Sequence, residues 1–368
     1  MRNTYVAISR SALQTNAQII RKTCGQKVSV CAVIKADAYG HGIVEVAKIL
    51  KGEVDYFAVA LVGEGELLRK HGIETPILVL GAIDKDEIND AIKNTLTITA
   101  ASLEKLNLIA EKAQSLKQKP VIHLKIDTGM NRIGVHWDRA TEFITRAHEL
   151  NNSGEIHCEG IYSHFSDSMN EEFTKTQFDR FKNILDFAKK IGLEPRHTHI
   201  SSSRSIFLYP EYRLTMVRPG IALYGTEPEC DSPILPKEIV PVLSWKSRVV
   251  YFKVVKKDES VGYGRTYYPK AEQERIVTLP LGYADGYPRR LSNRGFVMIH
   301  NKKYPIVGRV CMDQIMVSLG QDGEAYVGDE VTLIGQGITA RELASIIDTA
   351  PHEITTCISP RVPRTYID

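Results

Sequence analysis

From residue 28 to about 224 the chain alternates short apolar runs with amphipathic stretches, the signature of parallel strands joined by helices. Eight strand candidates stand out: VSVCAVI (28–34), VDYFAVAL (54–61), PILVL (76–80), TLTIT (95–99), PVIHLKID (120–127), IHCEGIYS (156–163), HTHIS (197–201) and TMVRP (215–219). Between them IVEVAKIL, SLEKLNLIAEKAQSL and FTKTQFDRFKNILDFAKKIG repeat apolar residues at three and four, which predicts helices. Eight strands with intervening helices predict a (β/α)8 TIM barrel. After residue 240 the texture changes to WKSRVVYFKVV, RIVTLPLG, GFVMIHN, KYPIVG, IMVSL and DEVTLIG, punctuated by turn residues. That is a mainly antiparallel β-domain, interrupted by one short helix, TARELASIID. The proline-rich EPECDSPILPKEIVP (227–241) has the composition of a linker, so the domains are expected at 1–236 and 237–368. YVAIS (5–9) suits a strand of either domain.

A length of 368 residues agrees with a large barrel carrying a second unit. Hydrophobic residues make up 43% and charged residues 25%, and the longest apolar runs, PILVLGAI and RIVTLPLG, are far too short to cross a bilayer. The net charge of +3, from 47 basic and 44 acidic residues scattered along the chain, favours neither nucleic acid nor a membrane as partner. Small molecules are expected instead. The opening MRNTYVAISRSAL lacks the apolar segment of a signal peptide, so the cytoplasm is the expected location. Six cysteines without a CxxC pair indicate neither a disulfide framework nor a zinc site, and no metal is expected.

Candidate chemistry gathers where the barrel strands end. Lys35, in AVIKADAYGHG (32–42), sits at the carboxyl end of the first barrel strand, where apolar walls favour a neutral, nucleophilic amine. Alone, such a lysine more often just marks a strand end. Arg132 follows the fifth strand between Gly129 and Gly134, His164 closes the sixth, Ser202 and Ser203 follow the seventh, and Arg218 ends the eighth ahead of Gly220 and Ile221. Barrel active sites form on this face, with phosphate commonly held after strands seven and eight. The distribution therefore describes a cofactor with a phosphate and an aldehyde. Singly, His164 reads as a core histidine, Ser203 as a helix cap and Gly220 as a turn. In the second domain, SVGYGRTYY sets Tyr263 between glycines, and CMDQ carries Met312 and Asp313, ordinarily a core side chain and a turn residue.

Together these residues resemble the fold-type III alanine racemases, which depend on pyridoxal 5′-phosphate (PLP). AVIKADAYGHG is similar to the family's PLP-lysine signature, and DTGMNRIG, YSHF, VRPGIALYG, VGYG, GYADG and GRVCMDQ match its other motifs in order along essentially the whole chain. The resemblance implies that Lys35 binds the PLP aldehyde covalently, that Tyr39 and His164 help fix the cofactor, and that Ser203 with the backbone of Gly220 and Ile221 holds its phosphate. It implies Arg218 on the pyridine nitrogen and Arg132 on the phenolic oxygen and the substrate carboxylate. Tyr263 would be the second acid/base and Met312 would complete the site, both serving a partner subunit in a homodimer with shared active sites. Lys125 occupies the place where some relatives carry a carbamylated lysine, and Asp313 and Tyr283 are implied as supporting residues. Racemisation takes the α-proton from one face and returns one to the other, so Lys35 and Tyr263 would flank the substrate.

Two departures bear on the phosphate. The family's last motif usually reads like ISYRVPR, with a tyrosine on the phosphate; ISPRVPR here puts Pro360 there, a loss of roughly 0.5–1.5 kcal/mol unless another donor substitutes. The usual Asn-Ser is Ser202-Ser203. The implied activity is interconversion of L- and D-alanine, supplying D-alanine for peptidoglycan. A broader or serine-preferring racemase is the chief alternative. Arg218 disfavours a basic amino-acid decarboxylase, where an acidic partner is expected, and residues 241–368 disfavour a non-enzymatic PLP-binding barrel, which lacks a second domain.

Overall fold

The computed structural model describes residues 3–227 and 233–368. Residues 228–232 of the expected linker, Cys230 included, lie outside the described residues.

Among the described residues eighteen strands form two sheets. β1 (Tyr5–Ser9) is followed by β2 (Ser29–Val33), β3 (Tyr56–Val59), β4 (Ile77–Val79), β5 (Thr97–Ala100), β6 (Val121–Asp127), the short β7 (Val135–His136), β8 (His157–Tyr162), β9 (His197–His199) and β10 (Met216–Val217). All eight expected barrel strands are present, paired in parallel in the order β10-β2-β3-β4-β5-β6-β8-β9. The ring is drawn shut where Thr215 N donates to Thr198 O (3.2 Å) and Arg218 N to Ser201 O (3.0 Å). It is a nearly closed TIM barrel.

The helices follow from their apolar periodicity and their caps. Ser9, Ser102, Asn170 and Thr339 each accept a first-turn N–H at helices 10–24, 103–116, 171–190 and 340–347. Helix 171–190 also opens with Glu171 and Glu172 and closes with Lys189 and Lys190, matching the helix dipole.

The barrel interior is polar as well as apolar. Thr97, Thr99, His123, Lys125, Tyr162, His197 and His199 are all buried. Several are paired across the strands, as in Thr99 Oγ1 with Tyr162 Oη (2.8 Å) and His123 Nδ1 with His199 Nε2 (2.9 Å).

The second sheet comprises β11 (Leu243–Arg248), β12 (Tyr251–Lys256), β13 (Gln273–Leu279), β14 (Phe296–Ile299), β15 (Lys302–Val307), β16 (Ile315–Ser318), β17 (Glu330–Ile334) and β18 (Arg364–Ile367), joined by β1. β1 lies between β11, antiparallel, and β18, parallel, so the first strand of the chain completes the second sheet. The rest of the sheet is antiparallel. Two helices rather than one interrupt these strands, Ala340–Ile347 and Pro351–Thr356. The second starts on a proline at its first position and is too short to show an amphipathic period.

Candidate active site

Lys35 stands two residues beyond β2, at the start of an unusual turn. Ala36, Asp37, Ala38 and Tyr39 all adopt the left-handed helical conformation, with φ of 52, 51, 52 and 56°. Each such residue costs roughly 1–2 kcal/mol, so the segment needs outside support. Ala36 N donates to Glu64 Oε1 (2.7 Å), Ile43 N to Asp37 Oδ1 (2.8 Å) and Gly42 N to Asp37 O (2.9 Å). From β18, Arg364 Nε donates to Gly40 O (3.1 Å) and Tyr366 Oη to His41 O (2.9 Å). The second domain thus clamps the turn that carries the lysine.

Lys35 opens into a cavity of about 500 Å³ at the carboxyl ends of the barrel strands. Its wall brings together Lys35, Tyr39, Lys125, Arg132, His164, Ser202, Ser203, Arg218, Gly220 and Ile221, along with Tyr162 and Arg204. Five side chains of this wall are basic, Lys35, Lys125, Arg132, Arg204 and Arg218, and among the described lining residues there is no carboxylate. Such a wall suits a multiply charged anion.

The charges act on one another. Burial first, then the Arg132 guanidinium, lowers the pKa of Lys35, while Glu64 opposes. Lys125 is brought down to about 7 by burial, with Arg218 adding to the effect. Burial and the surrounding cations push His164 well below the ordinary imidazole value. Arg218, itself buried, is lowered to about 10. Its Nη2 donates to Ser163 O (2.8 Å), Ile200 O (3.2 Å) and His164 Nδ1 (3.0 Å), and its Nη1 to His199 Nδ1 (2.6 Å).

The phosphate-like corner is built from short polar groups. Ser203 Oγ accepts from Gly220 N (2.9 Å) and Ala222 N (3.2 Å), which leaves its own proton to donate. A Cβ on Gly220 would stand 2.6 Å from Tyr39 Oη, so only glycine lets the loop approach that ring. Arg132 rides on a loop fixed by Asp127 Oδ1, which accepts from the N–H groups of Gly129, Met130 and Asn131 at 2.9, 3.0 and 3.1 Å. Gly129 and Gly134 take φ of +139° and +113° there.

Pro360, which stands where the family usually has a tyrosine, is not among the described residues of this wall. Its neighbours bond within the second domain: Arg361 Nη2 donates to Asp313 Oδ1 (2.8 Å), and Arg364 donates to the carbonyls of Ile358, Ser359 and Val362. His352, on helix Pro351–Thr356, instead lines the cavity from the second domain, its ring edge-on to Tyr39 at 6.2 Å. No local signal in the sequence marks His352. Tyr162 and Arg204, also missed, lie respectively within the YSHF motif and directly after Ser203.

Tyr263, Met312, Asp313 and Tyr283 are not brought to this chain's own cavity. Tyr263 is 72% exposed, Met312 53% and Tyr283 42%. Gly262 and Gly264, with φ of +74° and +72°, fold the chain so that Tyr263 projects outward. Tyr283 N donates to Cys311 O (3.0 Å) and Ala284 N to Met312 O (3.1 Å), so these exposed side chains share one surface turn.

Comparison with known proteins adds the following. The family model "Alanine racemase, N-terminal domain" matches residues 8–228, and "Alanine racemase, C-terminal domain" matches residues 242–366. The alanine racemase of Halothermothrix orenii is 41% identical over 99% of this chain and 97% of its own length. That of Carboxydothermus hydrogenoformans is 41% identical over 100% of both. The crystal structure of alanine racemase from Bacillus anthracis with bound L-Ala-P is 34% identical, with a TM-score of 0.92 over 100% of this chain and 96% of that one.

Proposed function

The chain belongs to the alanine racemase family, and on that premise we propose that it interconverts L- and D-alanine with PLP as cofactor. In the same proposal it is a cytoplasmic homodimer, divided at residues 236 and 237 into two domains, and it supplies D-alanine for peptidoglycan. One observation carries it: a lysine of lowered pKa opens into a cavity whose described wall bears five basic side chains and no acidic one. The residues fit PLP. A phosphate and a phenolic oxygen call for positive charge and short donors, and the corner of Ser203, Gly220 and Tyr39 supplies a close approach that any Cβ at 220 would fill.

When bound, PLP withdraws electrons from the substrate's α-carbon and so makes its proton labile. Lys35 would hold the aldehyde through an amine that burial and Arg132 keep disposed to the neutral form. The same amine would hold or give the proton on one face of the α-carbon. Tyr263 of a partner subunit serves the other face, which accords with its exposure here. Arg132 orients the substrate carboxylate. Arg218 would offer the ring nitrogen a donor without a labile proton, since a guanidinium stays charged. Ser203, the Gly220 and Ile221 backbone and Tyr39 would hold the phosphate, with His352 as a further donor from the second domain. Lys125, Asp313, Tyr283 and Met312 support the substrate side.

The test is formation of D-alanine from L-alanine, and the reverse, by the purified chain with PLP. Lys35→Ala should abolish the visible absorption of the bound cofactor together with activity. Tyr263→Phe should keep the colour and lose about 10²–10⁴-fold in kcat. Full activity in either variant would defeat the proposal. A panel including serine separates alanine preference from broader specificity.

A further inference from the structure

Arg218 is a buried cation that the described ion pairs leave without a carboxylate partner, although burial of a charge requires compensation. Its fork instead reaches carbonyl oxygens and two imidazoles, and one of these begins a chain that crosses the barrel. Arg218 Nη1 contacts His199 Nδ1 at 2.6 Å, and His199 Nε2 contacts His123 Nδ1 at 2.9 Å. His123 Nε2 faces Glu159 Oε2 at 3.6 Å and has no nearer hydrogen-bond partner among the described residues.

The direction of this chain is forced. A guanidinium only donates, so His199 Nδ1 is bare and its proton lies on Nε2. That N–H occupies His123 Nδ1, which must be bare in turn, so the His123 proton lies on Nε2 and points at the carboxylate. At 3.6 Å this last contact is an ion–dipole attraction rather than a closed hydrogen bond. We propose that Glu159 is a remote positioning residue for Arg218, its carboxylate selecting, through His123 and His199, the one tautomer pair that lets the guanidinium be held.

Reversing both rings would set N–H against N–H at Arg218 and a lone pair against the carboxylate at the other end. Arg218 sets the order through a single bond, Nη1 to His199, because its Nη2 is held independently by the carbonyls of Ser163 and Ile200. A fixed charge at the far end adds to that one bond. Glu159 is itself fixed: the facing His123 N–H and the Tyr56 hydroxyl, which donates to Oε2 at 2.7 Å, hold it at about 2 against burial.

Two packing features preserve the geometry. The Tyr162 ring stacks on His199 at 4.8 Å with an interplanar angle of 1°. A Cβ at Gly160 would come within 2.6 Å of the His123 ring, so the imidazole rests on a residue that has no side chain. Glu159 and Gly160 are adjacent in β8, and His123 pairs with Gly160 from β6. His197, whose ring lies 6.1 Å from His123, and also His157 and Lys125 are further titratable neighbours of the pair.

The tautomer order follows from the coordinates alone; its bearing on the cofactor rests on the function proposed above. Nitrogen-15 NMR of the histidine-labelled full chain at neutral pH should show His123 and His199 neutral and protonated at Nε2. In Glu159→Gln, an Nδ1-protonated form of His199 should become visible, and PLP should be retained about tenfold less tightly with Lys35 intact. Gly160→Ala, which displaces the His123 ring without touching a charge, should reproduce both effects. A wild-type ring protonated at Nδ1, or carrying both protons, overturns the proposal even if no variant folds. So does a folded Glu159→Gln with wild-type spectra and unchanged PLP retention. A wild-type chain that shows the tautomers and takes up no PLP defeats the proposed function instead.

Discussion

Lys125 shows how a single side chain can dictate a pH dependence. It is 3% exposed, donates from Nζ to Ile126 O at 3.0 Å, and lies 5.3 Å from the Tyr162 ring centre. Burial foremost, then the charges of Arg218 and Arg132, take its pKa from 10.5 to about 7, with Asp127 opposing. Between those values the native state has released a proton that the unfolded chain still holds, so stability rises with pH through that window. Below it both states are protonated and the burial cost is complete. Denaturation at the two ends of the window should show a gain on the order of 3 kcal/mol in the wild type. That increment should vanish in Lys125→Met; an equal slope in both proteins would mean that the amine does not titrate. A basic residue in PVIHLKID was visible in the sequence, but its burial beside two arginines depends on three strands meeting.

At the scale of elements, the turn after Lys35 is the clearest case of tertiary structure overriding local preference. Four consecutive non-glycine residues are left-handed, two of them alanines, which favour right-handed helix. The sequence shows a glycine pair and a strand end; it holds no sign of a left-handed turn, because Arg364, Tyr366 and Thr355 impose it from more than 300 residues away. Gly40 takes φ +85°, and a Cβ there would stand 2.1 Å from Thr355 O. Gly25 has nearly the same φ, +82°, with nothing within 4 Å. Gly25→Ala should therefore cost about 1–2 kcal/mol, the strain of the conformation alone. Gly40→Ala should cost more than about 3 kcal/mol and weaken PLP binding, since backbone must move. Urea denaturation of the pair measures the difference, and equal losses would show that the domain contact does not hold the turn.

For the whole molecule, the exposure of Tyr263, Met312 and Tyr283 away from their own cavity leads to a test by mixing. Lys35→Ala and Tyr263→Phe should each be inactive alone. In the proposed dimer, subunits exchanged at random would form heterodimers half the time, each with one site holding both residues intact, so about a quarter of wild-type activity should return. No recovery after verified exchange would place both residues in one subunit's site. The path of the chain bears on assembly too. β1 is held between β11 and β18, and Thr4 Oγ1 meets Ser247 Oγ at 2.8 Å, so the second sheet cannot be completed without the first residues of the chain.

The eight barrel strands, the helices between them and the lysine at a strand end were determined by the sequence, because each depends on a periodicity or a motif within some twenty residues. Only the tertiary structure decided which sheet takes YVAIS, that His352 rather than Pro360 reaches the cavity, and that a carboxylate in β8 faces a histidine chain leading to Arg218. These depend on which distant residues meet and on desolvation where they do. Neither pairing nor loss of water is encoded at any one position.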